Sequence, residues 1–142
     1  MAHYFITGAS SGIGAALAVQ LTATGHQVSA VARRQQRLAA LSEQLDAFHG
    51  YVADVGDAES LATAIDKAKA KSGAIDVAIL NAGIYQPQDG IKIDPQIYAN
   101  HMTINYLGVV NALAGLVPDM VREGEGHIAV SYTHLRAHET AC

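Results

Sequence analysis

The chain has 142 residues, with nine Lys or Arg against thirteen Asp or Glu, a net charge of −4, and half of its residues hydrophobic. That is one domain's worth of chain, able to bury a sizeable core; the mildly acidic balance without a basic tract argues against nucleic acid as a partner. The only cysteine, Cys142, leaves no disulfide framework. With no signal peptide and no apolar run of about 18 residues, the expectation is a soluble, cytoplasmic protein without a membrane partner.

Tyr4-Phe5-Ile6 predicts a strand almost at the N-terminus. It leads into Thr7-Gly8-Ala9-Ser10-Ser11-Gly12-Ile13-Gly14 and then a helix in which Ile13, Leu17 and Leu21 recur one turn apart before Gly25 stops it. On a strand-to-helix turn, backbone N–H groups point outward from the positive helix end. A pyrophosphate fits there when no Cβ blocks its approach. Gly8 would permit the tight turn, Gly12 the close approach of phosphate, and Gly14 the packing of helix on strand. Taken alone, the stretch also reads as a flexible loop. Its spacing, T-G-x-x-x-G-x-G, differs from the common G-x-G-x-x-G fingerprint and resembles that of the short-chain dehydrogenase/reductase family. The resemblance implies that Thr7, Gly8, Ser10, Ser11, Gly12, Ile13 and Gly14 bind a nicotinamide dinucleotide.

Gln27–Ala32 predicts a buried second strand, followed at once by Arg33 and Arg34. At the end of that strand an acid would accept from the 2′-hydroxyl of NAD, whereas arginine pairs with the 2′-phosphate of NADP. Ala32 holds the acid's place, so NADP(H) is expected over NAD(H), with Arg33 on the phosphate and Arg34 supporting it. The alternative is that both arginines cap and solubilise the next helix, which carries Leu38, Leu41 and Leu45. Tyr51–Val55 predicts the end of a third strand, closing with Asp54; the family resemblance sets Asp54 and Val55 against the adenine. Asp54 also suits a helix cap. Asp57 starts a third helix with Leu61, Ile65 and Ala68.

Val77–Gly83 predicts a fourth buried strand that ends in Asn81-Ala82-Gly83. This resembles the family's N-N-A-G with Leu80 in place of the first Asn, and implies that Asn81, Ala82 and Gly83 line the ribose and nicotinamide side. The loop Tyr85–Gly90 follows, and in the family that region borders the substrate cleft. Asp94-Pro95 is a cap followed by Pro at the first helical position. Along that helix, Thr103-Ile104-Asn105-Tyr106-Leu107-Gly108 resembles the family's x-V-N-x-x-G. The likeness implies that Asn105 interrupts the helix and holds a water of the catalytic proton relay; an ordinary helix asparagine is the alternative. Pro118 is expected to end or kink the helix before a fifth strand, His127–Val130.

The alternation implies an α/β, Rossmann-type doubly wound parallel sheet, truncated after about five strands, over residues 1–129. The family's catalytic serine is expected near Tyr132 or Thr133, with Ser131 one or two places early. Its Tyr-x-x-x-Lys would lie beyond Cys142, and the last lysine is Lys92. Tyr132 and Arg136 form a Y-x-x-x-R at the mouth of strand five, the wrong place for a catalytic pair. Instead, Val130–Thr140 resembles a translated sequencing-library adapter at all eleven positions, so 130–142 is expected to be a non-native tail. His134 and His138 with Glu139 have zinc-like spacing but lack a third evident ligand, and no metal is expected. The family resemblance implies hydride transfer between NADPH and a carbonyl or alcohol, in a parent that pairs with copies of itself. As written, the chain would bind nucleotide without catalysis; a non-catalytic NADP(H)-binding module or a non-functional fragment are the alternatives.

Overall fold

The computed structural model describes residues 1–131. Tyr132, Thr133, His134, Arg136, His138, Glu139 and Cys142 lie outside the described residues.

The short β-prone runs form five parallel strands: β1 (His3–Thr7), β2 (Gln27–Ala32), β3 (Phe48–Val52), β4 (Val77–Leu80) and β5 (His127–Val130). Their order is β3-β2-β1-β4-β5, all neighbours parallel. The chain moves outward from β1 through β2 to β3, then crosses back to β4. The order therefore reverses between β1 and β4, where an open α/β sheet presents a crevice at its carboxyl ends. The crossovers are α1 (Gly12–Ala23), α2 (Gln35–Gln44) and α3 (Ala58–Ser72). Between β4 and β5 run α4 (Pro95–His101), a π-helical segment (Met102–Leu107) and α5 (Gly108–Glu123).

Strand alternation sorts the side chains onto two faces. Phe5, Val31, Ala78 and Leu80 face one cluster with Leu61, Ile65, Ala112 and Leu116 of α3 and α5. Ile6, Val28, Ala30 and Phe48 face the other, with Ala18 and Leu38 of α1 and α2. Each fully buried Ile, Leu or Phe contributes roughly 1.5–3 kcal/mol, and these two layers hold the carboxyl ends of β1, β2 and β4 in register.

The first face also carries a polar pair. His3 and Ser29 are buried, with His3 Nε2 2.8 Å from Ser29 Oγ. His3 Nδ1 meets only carbonyl oxygens, those of Gly73 at 3.0 Å and Ala74 at 3.2 Å. It therefore donates, and ties the end of α3 to the base of the sheet.

Several sequence expectations shift. The third strand, Phe48–Val52, stops short of Asp54, because Asp54 folds into a turn in which Oδ1 accepts the Gly56 N–H at 2.9 Å. Ile13 is 63% exposed; α1 buries Gly14 and Ala18 instead, with Leu17 and Leu21 packed beside them. Pro118 does not end its helix. The helix continues to Glu123, stopped by left-handed Gly124, since buried Ala112 and Leu116, with Met120 packed beside them, anchor it on both sides of the proline. The helical stretch Pro95–Glu123 is also long and apolar enough to span a membrane by length and composition, with a mean hydropathy of 1.3 over its most apolar 18 residues. The sequence reading missed it because polar residues break up the apolar run.

Candidate functional site

Thr7 closes β1 with its side chain buried. Its Oγ1 accepts the N–H groups of both Asn81 and Ala82 at 3.0 Å. Asn81 Nδ2 returns a bond to the Gly8 carbonyl at 3.3 Å. The two motifs are thus one interlocked unit at the β1–β4 crevice. Gly8 has φ +69°, and a Cβ there would lie 2.7 Å from Ala82 Cα, so only glycine fits.

Helix α1 starts at Gly12, φ +58°, where a Cβ would meet nothing within 4 Å. Its N-cap, Ser11, makes no side-chain capping bond. Among the described residues the first-turn N–H groups have no side-chain acceptor, a donor set suited to an anion. Beside this turn, Arg34 Nη2 donates to Ser10 Oγ at 3.0 Å and to Ser11 Oγ at 2.9 Å, and Arg34 Nε to Ser10 Oγ at 3.2 Å. Arg33 is exposed and lines the same cleft.

That cleft measures about 580 Å³, within the range of small-molecule sites. Gly8, Ser10 and Ser11 line it from the turn, Arg33 and Arg34 from the end of β2, and Asp54 and Val55 from beyond β3. Asn81, Ala82 and Gly83 line it from the end of β4. The structure divides the two roles left open for Asp54. Asp57 caps α3 by accepting the Ser60 N–H at 3.1 Å, while Asp54 remains at the cleft.

Four residues expected at the nucleotide do not line the cleft. Thr7 and Gly14 hold the unit together, Gly12 opens the helix, and Ile13 lines a neighbouring cleft of about 390 Å³. Tyr85, Asn105, Val130 and Ser131 share that second cleft.

The interruption expected at Asn105 is present as the π-helical segment. The side-chain amide, however, is committed to Ile84: Oδ1 accepts its N–H at 2.7 Å and Nδ2 donates to its carbonyl at 2.8 Å. One turn earlier, His101 Nε2 accepts the Gln86 N–H at 2.9 Å. No sequence signal singled out His101, because its partner lies on an irregular loop.

The sequence model of the short chain dehydrogenase family matches residues 2–132. The chain belongs to that family. A 3-dehydrosphinganine reductase from Arabidopsis thaliana is 35% identical over 141 residues, covering 95% of this chain and 41% of the relative. An NADPH-dependent pterin aldehyde reductase from the same plant is 32% identical over 127 residues, 87% of this chain and 52% of the relative. The chain therefore spans roughly half the length of these short-chain dehydrogenase relatives or less. Among solved structures, an alcohol dehydrogenase from Thermococcus sibiricus complexed with 5-hydroxy-NADP has a TM-score of 0.85 and 29% identity, over 92% of this chain and 57% of that one. A short-chain type dehydrogenase/reductase from Mycobacterium ulcerans has a TM-score of 0.86 and 26% identity, over 91% and 50%.

Proposed function

We propose that these residues are the NADP(H)-binding part of an oxidoreductase that moves hydride between NADPH and a carbonyl or alcohol. The observation that carries the cofactor choice is the end of β2, where Ala32 holds the acid's position and two arginines enter the cleft. A 2′-phosphate would meet cationic donors there, and a free 2′-hydroxyl would find no carboxylate from that strand. The names of the pterin aldehyde reductase and the archaeal alcohol dehydrogenase, both tied to NADP chemistry, support the same reading.

When bound, the nicotinamide supplies or accepts the hydride. The first turn of α1 holds the pyrophosphate, Asp54 and Val55 border the adenine, and Asn81–Gly83 border the nicotinamide side. Asn105 fixes Ile84 at the far wall of the cleft. The family resemblance assigns protonation of the carbonyl to a tyrosine, lowering of that tyrosine's pKa to a lysine, and steadying of the carbonyl to a serine, none of them matched within the 142 residues. The residues present account for nucleotide binding, and turnover needs that tyrosine and lysine as well. The exposed apolar stripe Tyr98, Met102, Tyr106, Val110, Val117 and Val121 along α4 to α5 supports pairing of the complete protein with a second copy.

Titration of the 142-residue chain with NADPH and NADH tests the reading. Tighter NADPH binding that weakens with added salt is expected; equal affinities would overturn the cofactor assignment.

A further inference from the structure

We propose that His101 is a positioning residue for the loop after β4, held as its neutral Nδ1–H tautomer and releasing Gln86 when it is protonated. Both ring nitrogens are engaged, with opposite demands. Nδ1 lies 2.7 Å from the Ile97 carbonyl, which can only accept, so Nδ1 carries the proton. Nε2 lies 2.9 Å from the Gln86 N–H, which can only donate, so Nε2 carries the lone pair. One tautomer satisfies both. Protonation puts a second N–H on Nε2, directed at an N–H donor, and the Gln86 bond is lost while the Ile97 bond survives.

The clasp is matched to the geometry of the chain. His101 and Asn105 are four residues apart, about 6 Å along a helix, and Gln86 and Ile84 are two apart, about 6.6 Å in an extended segment. Asn105 grips Ile84 through a group that does not titrate. His101 grips Gln86 through one that does. Ile84 lines the nucleotide cleft and Tyr85 the neighbouring one, so the grip at Gln86 sets how firmly the shared wall is held. The titratable groups on the segments that flank it in sequence are Tyr85, Asp89 and Lys92 on the loop, Asp94 and Tyr98 on or beside α4, and Tyr106 in the π-helical segment. Among the described residues, no carboxylate lies within ion-pairing distance of His101 to hold an imidazolium in place.

The inference does not depend on nucleotide binding, and its test is run without nucleotide. NMR of the isotopically labelled 142-residue chain reads the His101 ring nitrogens and the exchange of the Gln86 amide across a pH series. Above the His101 titration, the expected result is the Nδ1–H signature, which is the minor tautomer of free histidine. The Gln86 exchange should be slowed about three- to tenfold there, the worth of one such hydrogen bond. Once pH-dependent intrinsic exchange is divided out, that protection should vanish as His101 protonates, while the Ile84 amide keeps its own. His101→Gln should retain protection through its side-chain oxygen and lose the pH dependence; His101→Ala should lose protection at every pH. An Nε2–H signature in the unsubstituted chain, or Gln86 protection that ignores His101 protonation, would overturn the proposal without needing any variant to fold.

Discussion

A Cβ on Gly14 would lie 2.4 Å from the carbonyl oxygen of Gly8 and 2.8 Å from Asn81 Nδ2. The contact joins the glycine turn, the first helix and the end of β4 at one point, and its nearest atom, the Gly8 carbonyl oxygen, is backbone and cannot swing aside. Gly14→Ala should therefore cost at the upper end of overpacking, about 3 kcal/mol. Gly12 is the contrasting case. Its φ is +58° but the space around it is open, so Gly12→Ala should cost only about 1–2 kcal/mol of left-handed strain while its methyl obstructs the phosphate. Thermal denaturation and NADPH titration of the two variants separate these roles. A well-folded Gly12→Ala chain with unchanged NADPH affinity would remove Gly12 from the phosphate site.

The reciprocal pair of bonds between Asn105 and Ile84 predicts an asymmetry between two substitutions. Asn105→Ala removes both bonds from an exposed site, where water can take their place, and should cost about 0.5–1.5 kcal/mol. Asn105→Asp keeps an acceptor for the Ile84 N–H but turns a second oxygen toward the Ile84 carbonyl. That variant should be destabilised at neutral pH and recover on acidification, when the new carboxyl can donate. Urea midpoints at neutral and acidic pH, with Ile84 amide exchange alongside, provide the measurement; equal pH profiles for the two variants would contradict the assigned bonds.

These relationships mark where the sequence was readable. Gln27–Ala32 and His127–Val130 match the expected strands end to end, because apolar runs bounded by turn residues leave little choice of register. The caps at Asp57 and Asp94 form as expected, since the acceptor and the N–H it serves lie within three residues. Asp54 was harder. Its flanking Ala53 and Val55 read as strand, and only the bond to Gly56 shows that the strand has already ended. Ile13 fits the helical period but points away from the core, because Gly14 and Ala18 allow closer packing on the sheet. His101 and Gln86 were invisible for a different reason. Their contact depends on the path of the loop across α4, and no local pattern encodes it.

The two arginines after β2 occupy different surroundings, and this predicts different losses. Arg34 is already bound to Ser10 and Ser11 across the glycine turn. Arg34→Ala should loosen that turn and weaken NADPH and NADH together. Arg33 reaches the cleft, and among the described residues no hydrogen bond or ion pair from its side chain is seen. Arg33→Ala should weaken NADPH by about tenfold or more, as loss of a charge-assisted bond implies, and leave NADH nearly unchanged. Parallel calorimetric titrations of both nucleotides decide the matter, and an equal loss for both on removing Arg33 refutes its assignment to the 2′-phosphate.

Away from the cleft, three titrating groups fix how stability should respond to pH. The His49 imidazole is held below its ordinary value of 6.5, first by burial and then by Lys71 and His3. Its folded form resists protonation, so the associated stability is complete above pH 6.5 and declines as pH falls toward the lowered value. The Asp119 carboxyl is held below 3.8, chiefly by the hydrogen bond from Lys69. Its contribution is complete above pH 3.8 and is lost at still lower pH, as the carboxyl protonates in the fold. The same bond raises Lys69 above 10.5, so at the alkaline end its contribution is complete below pH 10.5 and fades above it. Acid denaturation followed by circular dichroism should therefore show two phases of weakening. His49→Gln should flatten the first and Asp119→Asn the second. An Asp119→Asn chain with an unaltered profile below pH 3.8 would show that the tie between α3 and α5 contributes nothing to the fold in solution.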